Sequence, residues 1–177
     1  TTGQGVAALM SAIEDVRRDT GNVEARRAAR RPALMGDAVI RLDHIGIAVD
    51  SGSTLLAFLH EAFGIEAGSP EPVPSQHVRV RFAECDGARL ELIEPTDDTS
   101  PVARFLSRRG PGLHHIAFEI TDLSALLIAL KTRGVRLIDE APRVGAHGRA
   151  IAFVHPSSAG GVLVELVEKE GRSRAVR

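Results

Sequence analysis

The chain has no tryptophan, no tyrosine and a single cysteine, Cys85, among its 177 residues. One thiol excludes an intrachain disulfide and any zinc site built from several thiolates. It fits a reducing compartment, and a cytoplasmic location is the expectation. Neither sign of charge is in excess, since 22 Lys and Arg face 23 Asp and Glu for a net charge of −1. That balance favours neither nucleic acid nor an acidic membrane surface as a partner. No apolar run is long enough to span a bilayer, and no charged-then-apolar secretory leader is present. The chain starts at Thr1 without Met, so the natural N-terminus, with any targeting signal, is expected to lie beyond it.

What is present is a near-repeat. One copy opens on Asp43-His44-Ile45-Gly46-Ile47-Ala48-Val49 and closes on Leu90-Glu91-Leu92-Ile93-Glu94. The other opens on His114-His115-Ile116-Ala117-Phe118-Glu119-Ile120 and closes on Val164-Glu165-Leu166-Val167-Glu168. His44 and Glu91 are 47 positions apart, and His115 and Glu165 are 50 apart. Duplicated supersecondary units bury a shared core, and a pseudo-twofold between them lets two His and two Glu converge on one point. For any single position a solvated strand face is the plainer reading. Four such residues at equivalent places point instead to a metal site. Imidazole and carboxylate donors suit a divalent transition ion such as Co, Zn, Mn, Ni or Fe(II), in an open site of catalytic type.

The period of the apolar residues sets the elements around this pattern. In the first module strand 40–49 leads to helix 53–63, a Gly64 C-cap, a short strand near 65–67 and a loop marked by Pro70, Pro72 and Pro74. Val78, Val80 and Phe82 alternate with arginines as a half-buried strand, and Asp86-Gly87 turns it into strand 89–94. The second module runs through strand 114–120 and helix 122–133, with Leu123, Leu126, Leu127 and Leu130 as its buried stripe. Strand 135–138, a loop over 142–148, strand 149–154, a turn over 156–161 and strand 162–168 follow. A linker helix spans Ser100 to Arg109, with Ser100 as N-cap and Pro101 in the first turn. The expected fold is α+β: tandem βαβββ modules, about 40–95 and 113–168, curved as a mixed sheet around a metal cleft within a domain over 38–170. Residues 1–37 form a separate helical extension, with an amphipathic helix from Gly5 to about Thr20 and a second from about Asn22 to Arg31. The basic run of that second helix reads as a solvated face.

The segments DHIGIAV (43–49), LELIEP (90–95), Ser100-Pro101-Val102, GLHHIAF (112–118), GAHG (145–148) and HPSSAGGVLVELV (155–167) resemble the methylmalonyl-CoA epimerase family of the vicinal oxygen chelate superfamily. The resemblance covers residues 41–168, and the GAHG and HPSSAGGVLVELV segments are its most specific parts. It implies an isomerase that interconverts the two epimers of methylmalonyl-CoA through an enolate, and a homodimer. The metal ligands it implies are His44, Glu91, His115 and Glu165, around one ion, Co²⁺ first and Zn²⁺, Mn²⁺ or Ni²⁺ otherwise. Glu91 stands where some members carry Gln, and His114 is a packing or supporting group. Members with a Gln-Gly-Val motif place a catalytic Glu four residues after its Gln. Here the motif reads Gln76-His77-Val78 and the fourth position is Val80, so that acid/base residue is absent. Glu165 is then the expected base, with His77 or a water for the second face. Arg143 and His147 are the expected substrate-binding residues, and Arg108, Arg109 and Arg149 are further candidates for the CoA phosphates.

Thr1-Thr2-Gly3-Gln4-Gly5-Val6 and the helices after it resemble the C-terminus of the G-protein chaperone of methylmalonyl-CoA mutase. That implies a fragment of a natural fusion, and partners from the mutase pathway. The alternative is a helical extension that packs on the domain or on a partner subunit. Two competing functions share the expected fold. A glyoxalase I-type lyase would act on a glutathione hemithioacetal with the same ligands, against which the GAHG and HPSSAGGVLVELV segments argue. A metal-free resistance-type binding protein would not need four metal-competent residues.

Overall fold

The computed structural model describes residues 38–50 and 54–170. The expectations for 1–37 lie outside them. Eight strands form one sheet: β1 (Val39–Ala48), β2 (Glu71–Val73), β3 (Val78–Cys85), β4 (Ala88–Pro95), β5 (Gly112–Ile120), β6 (Arg143–Val144), β7 (Ala150–Val154) and β8 (Val164–Glu168). Three helices accompany them among the described residues: α1 (Thr54–Phe63), α2 (Pro101–Arg109) and α3 (Leu123–Thr132). None is long and apolar enough to cross a membrane.

The sheet order β2-β3-β4-β1-β5-β8-β7-β6 reads as two βαβββ modules laid end to end. In each module the last strand returns parallel to the first, β4 beside β1 and β8 beside β5. The two first strands meet antiparallel at the centre, with Ile45 opposite Ile116. This is the α+β sheet expected from the repeat. Both helices of the modules begin and pack as their sequences direct. Asp122 caps α3 by accepting the Ala125 N–H at 3.0 Å, and Leu123, Leu126 and Leu127 are its buried side. α1 lays Leu55, Leu56 and Leu59 inward, the first two against Val49 and Leu92. Ser100 caps α2 through the Val102 N–H at 3.2 Å. Each fully buried Leu or Val of these faces contributes roughly 1.5–3 kcal/mol.

Three short segments differ from expectation. Residues 65–67 and 135–138 make only single bridges, Ala67 to Ala83 and Leu137 to Val154. Gly68 and Pro70 interrupt the first. The second ends where Ile138 and Asp139 both donate to the Phe153 carbonyl, at 2.8 and 3.3 Å. The proline-marked loop contains the edge strand β2, where Pro72 sits opposite Arg79. An edge strand tolerates Pro because one row of its N–H groups needs no partner.

Candidate metal centre

Register brings the four candidate ligands together. Gly46 of β1 pairs with Glu91 on one side and His115 on the other. Ala117 of β5 pairs with His44 and Glu165 in the mirrored arrangement. Directly paired residues share a face of a sheet, so all four project to one side. Behind each glutamate stands a phenylalanine of the next strand, Phe82 opposite Glu91 and Phe153 opposite Glu165. The internal repeat is thus a local twofold whose axis passes beside Ile45 and Ile116.

All four residues are buried, and one donor atom from each lies within 4.8 Å of the other three. His44 Nε2 is 3.1 Å from His115 Nε2, 3.1 Å from Glu165 Oε2 and 3.3 Å from Glu91 Oε2. His115 Nε2 is 3.0 Å from Glu165 Oε2 and 3.5 Å from Glu91 Oε2. A divalent ion about 2.1 Å from each donor has cage edges of about 3.0–3.4 Å, depending on coordination number. These edges therefore fit a cation at the centre, and two imidazoles with two carboxylates are a donor set for a first-row transition ion. The group is not a packing accident of one polar pair, because a buried carboxylate is costly without a compensating charge.

Strand alternation alone would turn Asp43 and His114 away from this side. The structure places a β-bulge at each of them. On β1 the pairing skips Asp43, with Leu42 opposite Phe118 and His44 opposite Ala117. On β5 it skips His114, with Gly46 opposite His115 and Ile47 opposite Leu113. A bulge re-aims the side chain it carries, and both residues reach the ligand that follows them. Asp43 Oδ1 is 2.8 Å from His44 Nδ1, and His114 Nδ1 is 3.0 Å from His115 Nδ1. A partner on Nδ1 fixes the ring and leaves Nε2 facing inward, as metal-binding histidines require.

Asp43 is in turn clamped by two arginines, Arg149 Nη1 at 2.7 Å on Oδ2 and Arg89 Nη2 on Oδ1. Burial raises the Asp43 carboxyl, but the bonds to His44 and Arg149 outweigh it and hold it well below the usual range. Burial likewise opposes charge on His44, yet its bonds to Asp43, Glu165 and Glu91 lift it to about 11. Glu165 is held below the usual carboxylate range because the two histidines outweigh its burial. With no cation counted, the centre therefore holds a proton on His44. Burial and the neighbouring His115 push His114 down to about 4, so it stays neutral and accepts from His115.

The ligand group lies at the bottom of a cavity of about 40 Å³, walled by Val78, Val80, Ile93, Phe82, Phe153 and His147 among others. Of the expected site residues, His44, Glu91, His115, Glu165 and His147 line it. His77 and Arg143 are not among its lining residues. His77 turns outward, with Nδ1 2.9 Å from Asp97 Oδ2. Arg143 holds Asp139 at 3.1 Å and lies over the Phe153 ring at 5.2 Å. Arg149, considered for CoA phosphates, is only 9 % exposed and spends its guanidinium on Asp43, Glu119 and the Glu168 carbonyl. The arginine points inward because a buried carboxylate awaits it there. Asp43 and Arg89 were the residues that sequence reasoning missed. The repeat alignment, which sets Asp43 opposite His114, was the available signal.

Residues 43–153 match the Glyoxalase/Bleomycin resistance protein/Dioxygenase superfamily. The chain is 48 % identical over 131 residues to an uncharacterised protein of Bacillus subtilis (strain 168), YqjC, covering 74 % of this chain and 94 % of that one. It is 37 % identical over 128 residues to the ethylmalonyl-CoA/methylmalonyl-CoA epimerase of Cereibacter sphaeroides, covering 71 % and 96 %. The crystal structure of methylmalonyl-CoA epimerase from Mycobacterium tuberculosis superposes with a TM-score of 0.72 at 36 % identity, covering 84 % of this chain and 99 % of that one.

Proposed function

The chain belongs to the methylmalonyl-CoA epimerase family of the glyoxalase superfamily, and from that premise we propose that it interconverts the (R) and (S) epimers of methylmalonyl-CoA. It is an isomerase acting on an acyl-CoA. The observation that carries the reading is the buried group His44, Glu91, His115 and Glu165, which is built to hold one divalent cation at the bottom of a cavity.

C2 of the substrate lies between a thioester and a carboxylate, and removing its proton puts negative charge on the thioester oxygen. When bound, a divalent cation supplies Lewis acidity that stabilises charge of this kind. The chain's own residues do the rest. His44 and His115 present Nε2 inward because Asp43 and His114 hold their other nitrogens. Glu165 is the proposed base: Oε2 faces the two histidines, and its other oxygen takes the C2 proton. The apolar wall of Val78, Val80, Ile93 and Phe153 keeps bulk water from the carbanion. Within the proposal the cation is Co²⁺, with Zn²⁺, Mn²⁺ and Ni²⁺ as the other candidates of the same donor preference. The working form is a cytoplasmic homodimer serving propionate metabolism, and mutase-pathway proteins are its natural neighbours.

Solvent deuterium incorporation at C2 of methylmalonyl-CoA, followed with and without added metal, tests the proposal. Metal-dependent exchange with inversion is the expected result. Conversion of a glutathione hemithioacetal instead, or ligand binding with no turnover at any metal loading, would overturn it.

A further inference from the structure

We propose that His147, held by Glu71, carries the proton on the face of C2 opposite Glu165. The proposal rests on the epimerase reading, and it concerns the acid/base group that Val80 cannot supply. Val80 is buried in the cavity wall between Val78 and Phe82, with Ile93 beside it, and none of these side chains exchanges a proton.

His147 lies where the curled sheet closes on itself. It sits in a 3₁₀ turn, Ala146–Gly148, directly after β6 at one end of the strand order, while Glu71 belongs to β2 at the other end. Glu71 spans the gap with both oxygens. Its Oε1 accepts the His147 backbone N–H at 2.6 Å, and its Oε2 is 3.1 Å from His147 Nε2. Ser75 Oγ reinforces the same junction by donating to the Val144 carbonyl at 3.2 Å. A carboxylate on Nε2 places the neutral ring's proton there and leaves a lone pair on Nδ1. The ring itself packs on Phe82, with centroids 5.0 Å apart, and Phe82 meets the His44 ring edge-on at 5.8 Å.

Two further features favour a working role. The backbone of His147 is left-handed, at φ 54° and ψ 23°, a conformation that is strained for a non-glycine residue and collects at functional sites. The other proton-exchanging groups of the wall are already engaged. Glu91, Glu165, His44 and His115 form the ligand group; Arg89 and Arg149 both bind Asp43; His114 serves His115. His147 is also 48 % exposed, so it can trade its proton with water between turnovers.

The step balances. The C2–H bond breaks toward the Glu165 carboxylate, its electron pair enters the enolate, and the His147 imidazolium gives its Nδ1 proton to the opposite face of C2. Glu165 ends protonated and His147 neutral, and exchange with water restores both. In the reverse direction the two groups trade roles.

The test uses the metal-loaded full chain in D₂O with each epimer supplied separately, comparing wild type, His147→Gln, Glu71→Gln and His77→Ala, each with its metal content measured. His147→Gln should keep its metal and lose epimerisation by about 100-fold or more. One epimer should meanwhile continue to exchange its C2 hydrogen without inverting, because abstraction and return from one face regenerates it. Glu71→Gln should show the same selective loss in weaker form, and it decides the matter if His147→Gln does not fold. Unchanged epimerisation in these variants, loss of metal from His147→Gln, or a selective loss in His77→Ala alone would overturn the proposal. A wild type that neither exchanges nor epimerises overturns the epimerase reading, and this proposal with it.

Discussion

Gly46→Ala should remove the metal while leaving the fold standing. Gly46 faces the ligand group between Glu91 and His115, and a Cβ there would lie 2.3 Å from His115 Cε1, 2.4 Å from Nδ1 and 2.7 Å from Nε2. Ordinary contact begins near 3.4 Å, so the imidazole must retreat by about 1 Å. A nitrogen bonded at about 2.1 Å cannot do so and remain a ligand. The ring has little room to slide, since it meets His44, His114 and Phe153 edge-on with centroids 5.2–5.5 Å away. Changing a group behind a ligand costs about 10–100-fold in metal affinity, and displacing the ligand itself should cost more than the upper figure. For stability two effects oppose each other. Overpacking costs about 1–3 kcal/mol, and removing glycine's freedom in the unfolded chain returns about 0.4–1 kcal/mol. The net loss is about 1–2 kcal/mol, or a Tm drop of about 2–8 °C in the metal-free protein. Elemental analysis and calorimetry would read both quantities. Adding His115→Ala to Gly46→Ala should recover most of the lost Tm, because the three nearest atoms to the added Cβ all belong to that ring, but none of the metal. Wild-type metal affinity in Gly46→Ala would refute the packing argument.

Glu165→Gln should abolish epimerisation and the C2 exchange of the epimer whose proton faces Glu165, leaving exchange of the other through His147, while keeping part of the metal, since an amide oxygen still coordinates; undiminished exchange of both epimers would remove Glu165 as the base. Asp43→Asn should weaken metal binding by about 10–100-fold, measured by titration calorimetry, through loss of the negative charge behind His44 Nδ1. Metal binding at pH 7 should release about one proton, because His44 is raised to about 11 in the cation-free centre and must be neutral to coordinate. Binding enthalpies that do not vary with the buffer's ionisation enthalpy would contradict this. The sign for the metal-free fold is the opposite: a raised His44 stabilises it below about pH 6.5, and that contribution fades as pH rises toward 11. Sedimentation at micromolar concentration should show a dimer, and a monomer alone would count against the proposed assembly.

Period-2 alternation and the repeat carried most of the fold and the four ligands. Both are local patterns that survive without knowledge of the neighbours. His44 and Glu165 meet because each pairs with Ala117, and that meeting follows from the repeat once the twofold is granted. What could not be read depends on departures from regular pairing. A one-residue bulge leaves no mark in the apolar pattern, so the side taken by Asp43 was invisible although its identity was plain. The inward turn of Arg149 depends on Asp43 and was hidden with it. The contact between Glu71 and His147 joins residues 76 positions apart through the curl of the sheet, and no spacing rule anticipates such closure.

The two bulges also show where the repeat stops being symmetric. Asp43 and His114 occupy equivalent places, each against the Nδ1 of the ligand that follows. One is a carboxylate fixed between two arginines, and the other is a neutral imidazole. His44 is therefore anchored by charge, which favours imidazolium when no cation is present and a more basic Nε2 when one is. His115 is anchored by a single neutral hydrogen bond and occupies the space that the missing Gly46 side chain leaves. The same four donors thus come from one half anchored by charge and one anchored by a neutral hydrogen bond. Epimerisation requires a proton-exchanging group on each face of a single carbon, and the two groups need not be alike. The difference begins at residues 43 and 114, in otherwise matching strands, and reappears at the rim, where only the second module supplies His147.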